Sequence, residues 1–424
     1  MYYFLLVSAL LAIILTDDVA SAQRWREEIS GGGGGKDKWN GLLDPLDADL
    51  RRDIVRYGEL AQATSDALIG DPASPFAGAS RYAPEGFLRK VRAPDPDAYR
   101  VTRFIYATSS ARVPDAFMTR PAPAGGAWSR ESNWMGYVAV AADGPAAAVG
   151  RRDIVVAWRG TKRAVEWAND LDITCRWTGD SCPSTRPRIS RHGSTNKARE
   201  SRYDQLRLPH IQEFHVPVLA EITRLLDVYK NEKCGIILTG HSLGAALATL
   251  TAIDLVNNGF NVVVRGSSRL PVPVTAIVFA SPRVGDEQFK KAFDSAAGVS
   301  LLRVRNAPDI VPTILPSAFF KDVGAELLVD THRSPYLKGP AGPAEWHNLE
   351  CCLHAVAGTQ GAGDGAGFSL EVDRDVALVN KEVDALRDEY LVPAAWWVEK
   401  NKGMVQDASG RWVLQDHEEG NLAM

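Results

Sequence analysis

Residues 236–255 read IILTGHSLGAALATLTAIDL. An apolar run stops at Gly240-His241-Ser242-Leu243-Gly244, and a stretch rich in Ala and Leu, both strong helix formers, begins at once. This is the pattern of a nucleophile elbow, G-x-S-x-G between a strand and a helix, in which the serine takes a strained backbone conformation that only small neighbours permit. Gly240 and Gly244 supply those neighbours. The expected result is a Ser242 hydroxyl pushed out at the carboxyl edge of a sheet, above a helix N-terminus.

Working outward, the flanking segments carry the alternation that such a turn requires. Towards the N-terminus, Leu50, Ile54, Tyr57, Leu60 and Ala61 recur at helical spacing, predicting a helix that packs on the body of the protein. GYVAVAAD at 136–143 and DIVVAWRGT at 153–161 read as two strands joined by a Gly/Pro/Ala turn, a hairpin. A helix is predicted over 211–229, directly before the elbow strand. Beyond the elbow helix, VTAIVFASPRVG at 274–285 and VSLLRVRNAPDIVP at 299–312 read as buried strands. Strands alternating with helices predict an α/β fold with a doubly wound, mainly parallel sheet flanked by helices. The polar, basic stretch from about Arg176 to Arg207 has little apolar periodicity, which marks an insertion, either disordered or covering a site.

A serine at neutral pH is a poor nucleophile until an imidazole takes its proton, and that imidazole needs an acid to fix its tautomer. In hydrolases built on this elbow the chain order is Ser, then Asp or Glu, then His. Asp309 is the best acid, because it follows the strand LLRVR in a loop stiffened by Pro308 and Pro312, at the sheet edge that presents Ser242. An Asx turn beside proline is the competing reading of Asp309, and Asp286 and Asp330 are weaker rivals. Four histidines follow: His332, His347, His354 and His417. His347 stands just before a predicted helix capped by Asn348, whereas His354 lies two turns inside it, so His347 is the favoured base and His354 the alternative. For the oxyanion, the N–H of Leu243 and the end of the strand at Trp158-Arg159-Gly160-Thr161 are the natural donors, with the helix N-terminus adding favourable potential.

The bulk numbers fit one large catalytic domain with additions: 424 residues with 45% hydrophobic content can bury a sizeable core. A formal net charge of −4 provides no global basic field, which argues against nucleic-acid binding through the phosphate backbone. Tyr2–Leu15 is an apolar run of 14 residues, too short to span a bilayer, and Ala20-Ser21-Ala22 resembles a cleavage site, so residues 1–22 read as a signal peptide or hydrophobic leader. The n-region carries no Lys or Arg, and Asp17 and Asp18 follow the run. Residues 23–38 include SGGGGGKDK and read as a linker, 39–400 as the catalytic domain, and 401–424 as a tail. Among five cysteines, Cys175 and Cys182 bracket a short polar loop and could bridge in an oxidising compartment, while Cys234 opens a strand as a small hydrophobe. No Cys/His spacing reads as a zinc site.

WRGT at 158–161, GHSLGAALA at 240–248, FASPRVGD at 279–286, RVRNAPDIVP at 303–312 and HNLECCLHAVAGT at 347–359 together resemble the class 3 lipases and, within them, the plant phospholipase A1 class II enzymes. WNGLLDPLDADLRRDIVRYGELAQA at 39–63 and ALVNKEVDALRDEYLVPAAWW at 377–397 extend the resemblance over nearly all of 39–400. It implies an α/β-hydrolase fold with a lid insertion, placed within Ala164 to Thr174 or in the polar stretch behind it. It also implies Ser242 as acyl-ester nucleophile, Asp309 and His347 as the relay, and Thr161 with Leu243 as oxyanion donors. The implied reaction releases the sn-1 fatty acid from phospholipids such as phosphatidylcholine at a membrane surface, with no metal or organic cofactor. Galactolipid or triacylglycerol hydrolysis, acyl transfer to a bound alcohol, and a lipase-like signalling protein without turnover are the alternatives. The leader implies secretion or an endomembrane location, the family resemblance a cytoplasmic one; oligomeric state has no signature in the sequence.

Overall fold

The computed structural model describes residues 25–29, 36–71, 74, 76–107, 133–160, 212–339, 341–361, 367–397 and 404–414. Its centre is a seven-stranded sheet in the order β1-β2-β3-β4-β7-β8-β9. The strands are β1 (Tyr99–Ala107), β2 (Asn133–Ala141), β3 (Arg152–Trp158), β4 (Cys234–His241), β7 (Val274–Phe279), β8 (Val299–Asn306) and β9 (Ala325–Val329). A separate two-stranded ribbon pairs β5 (Val262–Arg265) with β6 (Ser268–Pro271). The β1–β2 and β2–β3 pairs are antiparallel; every pair from β3 to β9 is parallel. A parallel sheet requires cover on both faces, and β3 and β7 are accordingly buried at every residue.

Alternation along the strands divides the core into two layers. Ile154, Val156, Trp158, Ile236, Leu238, Ala276 and Val278 face α3 (Gln212–Val228), α4 (Leu243–Asn257) and α5 (Glu287–Ser295). Val155, Ala157, Ile237, Ile277, Phe279, Leu302 and Val304 face α1 (Ala48–Asp66) and α6 (Leu349–Gly358). The helical spacing read at the N-terminus is realised in α1, whose Leu50, Ile54, Tyr57, Leu60 and Ala61 are all buried, and whose first turn is capped by the Asp47 carboxylate. At Gly58 a Cβ would lie 2.2 Å from Leu353 Cδ2, so glycine is what allows α1 to cross α6 closely. The fold is the α/β-hydrolase architecture: a mainly parallel sheet, helices on both faces, and a G-x-S-x-G turn between β4 and α4.

Several expectations change in detail. The two strands read as a hairpin do pair antiparallel, but α2 (Asp143–Val149) joins them in place of a turn. Its alanines favour helix, Pro145 lies in the first turn where its missing N–H costs nothing, and Gly150 ends it at φ 65°. Strands β1 and β9 have no counterpart in the sequence reading. The stretch expected as a linker, 23–38, contains a docked piece: residues 25–29 are helical, Trp25 is fully buried and donates from Nε1 to Asp53 at 2.9 Å, and Arg26 pairs with the same carboxylate at 2.7 Å. Part of the expected tail is also integrated, since β10 (Met404–Gln406) and β11 (Trp412–Leu414) form a ribbon whose Met404 and Trp412 pack against Trp396. In both places a buried aromatic side chain anchors a segment whose polar composition reads as solvent-exposed. Among the described residues, no helix is long and apolar enough to cross a membrane. The expected leader, the polar stretch at 176–207, the lid segment, Cys175 and Cys182 lie outside the described residues.

Candidate active site

Ser242 sits between the last residue of β4 and the first of α4 with φ 59° and ψ −124°, a conformation that costs a non-glycine residue on the order of 1–3 kcal/mol. The surrounding glycines explain how the turn tolerates it. A Cβ on Gly240 would come within 2.5 Å of the Gly244 carbonyl, and one on Gly244 within 2.4 Å of the Trp158 carbonyl oxygen. Gly160, just past β3, has the same role from the other side, because its Cβ would strike the His241 carbonyl oxygen at 2.6 Å. Three glycines thus press the end of β3, the elbow and the first turn of α4 together, and the Ser242 N–H donates to the Phe279 carbonyl at 2.9 Å.

Asp309 and His347 arrive at this edge from two different loops. Asp309 follows the end of β8, and its Oδ2 accepts from His347 Nδ1 at 2.7 Å with both residues buried. Its other oxygen, Oδ1, accepts from the Val311 N–H at 3.0 Å. The Asx turn and the hydrogen bond to the imidazole therefore coexist, one on each carboxylate oxygen. Because the carboxylate accepts at Nδ1, the imidazole proton is held there and Nε2 is left with its lone pair. His347 lies beside the elbow, its ring centroid 4.6 Å from that of His241, the neighbour of Ser242. Ser242 Oγ and His347 Nε2 are both buried without a hydrogen-bond partner among the described residues.

His354 is not brought to Asp309. It is buried inside α6, where its Nε2 pairs with Ser334 Oγ at 2.7 Å and its ring packs on Phe368 and Tyr336. Burial, with Arg374 nearby, pushes its pKa down to about 3, so it stays neutral at ordinary pH. The acid rivals have structural duties: Asp286 caps α5 by accepting from the Gln288 and Phe289 N–H groups, and Asp330 caps a short helical turn and pairs with His332 and Arg333. His417 lies outside the described residues.

Leu243 is the first residue of α4, where backbone N–H groups have no intrahelical acceptor and the helix dipole adds positive potential. Thr161 lies outside the described residues, but the strand end leading to it is tightly held. Arg159 is buried, donating from Nε to the Trp134 carbonyl at 2.7 Å and from Nη1 to the Gly160 carbonyl at 2.8 Å, and burial lowers its pKa to about 10. Among the described residues no group of three or more His, Cys, Asp or Glu is arranged to hold a metal ion. Cys234, Cys351 and Cys352 are free and buried, and burial raises the pKa of each thiol.

Two residues of the site were missed in the sequence reading. His241 Nε2 lies 2.8 Å from the His347 carbonyl oxygen, and Asn306 Nδ2 donates to the Trp346 carbonyl at 2.9 Å. Each stands within a motif already singled out, one inside the elbow and one at the end of RVRN, but its partner is a main-chain atom that no side-chain pattern reveals.

The family model "Lipase (class 3)" matches residues 155–319, a span that includes Ser242 and Asp309. The chain is 78% identical to phospholipase A1-II 3 of Oryza sativa subsp. japonica over 92% of its length and 93% of that protein's. It is 52% identical to phospholipase A1-II 4 of the same subspecies, covering 91% of this chain and 94% of the other. Among solved structures, the lipase of Rhizopus microsporus var. chinensis aligns with a TM-score of 0.39 at 18% identity, over 72% of this chain and 80% of that one. On the strength of the full-length identity to the rice proteins, the chain belongs to the phospholipase A1-II family of class 3 lipases.

Proposed function

We propose that this chain is a phospholipase A1, releasing the sn-1 fatty acid of phospholipids such as phosphatidylcholine through a serine acyl-enzyme. The observation that carries this reading is the buried Asp309–His347 pair at 2.7 Å beside the strained Ser242, in a chain so close to the rice phospholipases A1-II. Ser242 Oγ attacks the ester carbonyl while His347 Nε2 takes its proton, and Asp309 holds the imidazole tautomer and stabilises the imidazolium that forms. The Leu243 N–H and Thr161 receive the oxyanion. His347 then returns the proton to the departing lysophospholipid oxygen, and water attacks the acyl-serine by the reverse sequence. No step requires a metal or an organic cofactor. The leader supports an endomembrane or secreted location, and cleavage after Ala22 leaves the anchoring Trp25 and Arg26 in the mature chain.

The test uses vesicles of phosphatidylcholine labelled separately on each acyl chain, with the protein and its Ser242→Ala variant. Release from sn-1 that vanishes in the variant is expected. Release from sn-2 alone, or release that survives loss of Ser242, refutes the reading.

A further inference from the structure

We propose that His241 is a positioning residue that sets the place of His347 by holding its main-chain carbonyl, with Asn306 gripping the carbonyl before it. This deepens the functional reading above and rests on its assignment of Ser242, Asp309 and His347. The need for such a grip is visible in the chain path. His347 and Asn348 form a short link between the helical turn Pro343–Trp346 and α6, and Asn348 is committed to capping α6 through the Cys351 N–H at 3.1 Å. Asp309 fixes only the Nδ1 end of the imidazole. The position of Nε2, the atom that must meet Ser242 Oγ, then depends on where the His347 backbone stands.

Two side chains determine that. His241 Nε2–H donates to the His347 carbonyl at 2.8 Å, and Asn306 Nδ2–H donates to the Trp346 carbonyl at 2.9 Å. The tautomer of His241 follows from the acceptor, since a carbonyl oxygen can only receive a hydrogen. Asn306 is itself immobilised, fully buried, with Oδ1 accepting from the Thr331 N–H at 3.1 Å. These grips come from the ends of β4 and β8, the strands that carry the nucleophile and the acid. The three reacting groups are thereby tied to one rigid sheet edge, and any shift of the elbow carries the base with it. His241 must stay neutral while His347 becomes an imidazolium 4.6 Å away; burial and the neighbouring His347 charge both hold its pKa well below the usual histidine range.

A lost grip of this kind affects geometry in the chemical step more than substrate binding, and a displacement of about 1 Å costs on the order of a hundredfold in rate. The experiment measures kcat and KM on p-nitrophenyl butyrate, together with melting temperature, for His241→Phe, His241→Gln, Asn306→Ser, Ser242→Ala and His347→Ala. His241→Phe is expected to lower kcat by roughly ten- to a hundredfold with KM changed less than about twofold. His241→Gln, which restores an N–H donor at a similar reach, should recover to within about fivefold. If His241→Phe does not fold, Asn306→Ser provides the same test, with a loss confined to kcat expected. An unchanged kcat in a folded His241→Phe, or a Gln variant no better than Phe, overturns the positioning role. Activity surviving in Ser242→Ala or His347→Ala would instead remove the reading on which it rests.

Discussion

Replacing Asp309 by Asn tests the electrostatic logic of the site with almost no change of shape. In the native protein Oδ1 accepts from the Val311 N–H at 3.0 Å while Oδ2 accepts from His347 Nδ1 at 2.7 Å. An amide has one acceptor and one donor end. With its oxygen left on Val311, the NH2 group faces Nδ1, which must then be bare, so the proton moves to Nε2 and the base can no longer accept from Ser242. Turning the amide over restores the productive tautomer but sets NH2 against the Val311 N–H in a buried place, at a cost of about 1–3 kcal/mol. That cost alone leaves the productive form roughly 5- to 150-fold depleted, at about 1.36 kcal/mol per decade. Loss of the carboxylate charge that stabilises the imidazolium adds to it, for a total fall in kcat of about 10³ to 10⁴. The assay is the initial rate of fatty-acid release from phosphatidylcholine vesicles, with thermal melting measured in parallel. A folded Asp309→Asn enzyme retaining more than about a tenth of the native rate would refute the reasoning.

Two other predictions concern residues near the site. His354→Leu should leave turnover within a few-fold, because His354 bonds to Ser334 and not to Asp309, and it should flatten the acid side of the stability profile. The native His354 has its pKa held at about 3, below its unfolded value near 6.5, so the unfolded state binds one more proton between those limits and stability falls by up to about 1.36 kcal/mol per pH unit on acidification through that window. Urea unfolding at several pH values checks this, and an unaltered slope in the variant, or a dead one, counts against the assignment. Gly160→Ala should lower activity by on the order of a hundredfold, since its methyl would overlap the His241 carbonyl at 2.6 Å and push the end of β3 off the elbow. Gly144→Ala in α2, where nothing beyond the chain neighbours lies within 4 Å of the new methyl, serves as the control and should be active, with no gain in stability because the new Cβ precedes Pro145.

Much of the fold was legible because its strongest elements are locally determined. The β4–α4 unit joins an apolar run to a run of Ala and Leu through a glycine-framed turn, and β7 and β8 are continuous apolar runs of the kind a buried parallel sheet requires. Edge elements were missed. In β1, Arg103 follows Thr102 and breaks the alternation at a register shift, and β9 alternates between buried and exposed positions over only five residues. The docked segment at 25–29 was hidden by its charges: Arg26 meets Asp53 and Asp153, and Glu27 meets Lys233, only once the body has folded.

The sequence by itself determined that a serine would stand on an elbow, and it nominated Asp309 and two histidines, because glycine spacing, strand ends and helix starts are properties of a few adjacent residues. Only the tertiary structure shows that His347, and not His354, meets Asp309. That pairing brings the ring to a carboxylate 38 residues earlier in the chain at 2.7 Å, with His241 and Asn306 holding the loop through main-chain carbonyls. Contacts made by main-chain atoms across the fold leave no pattern in the order of side chains.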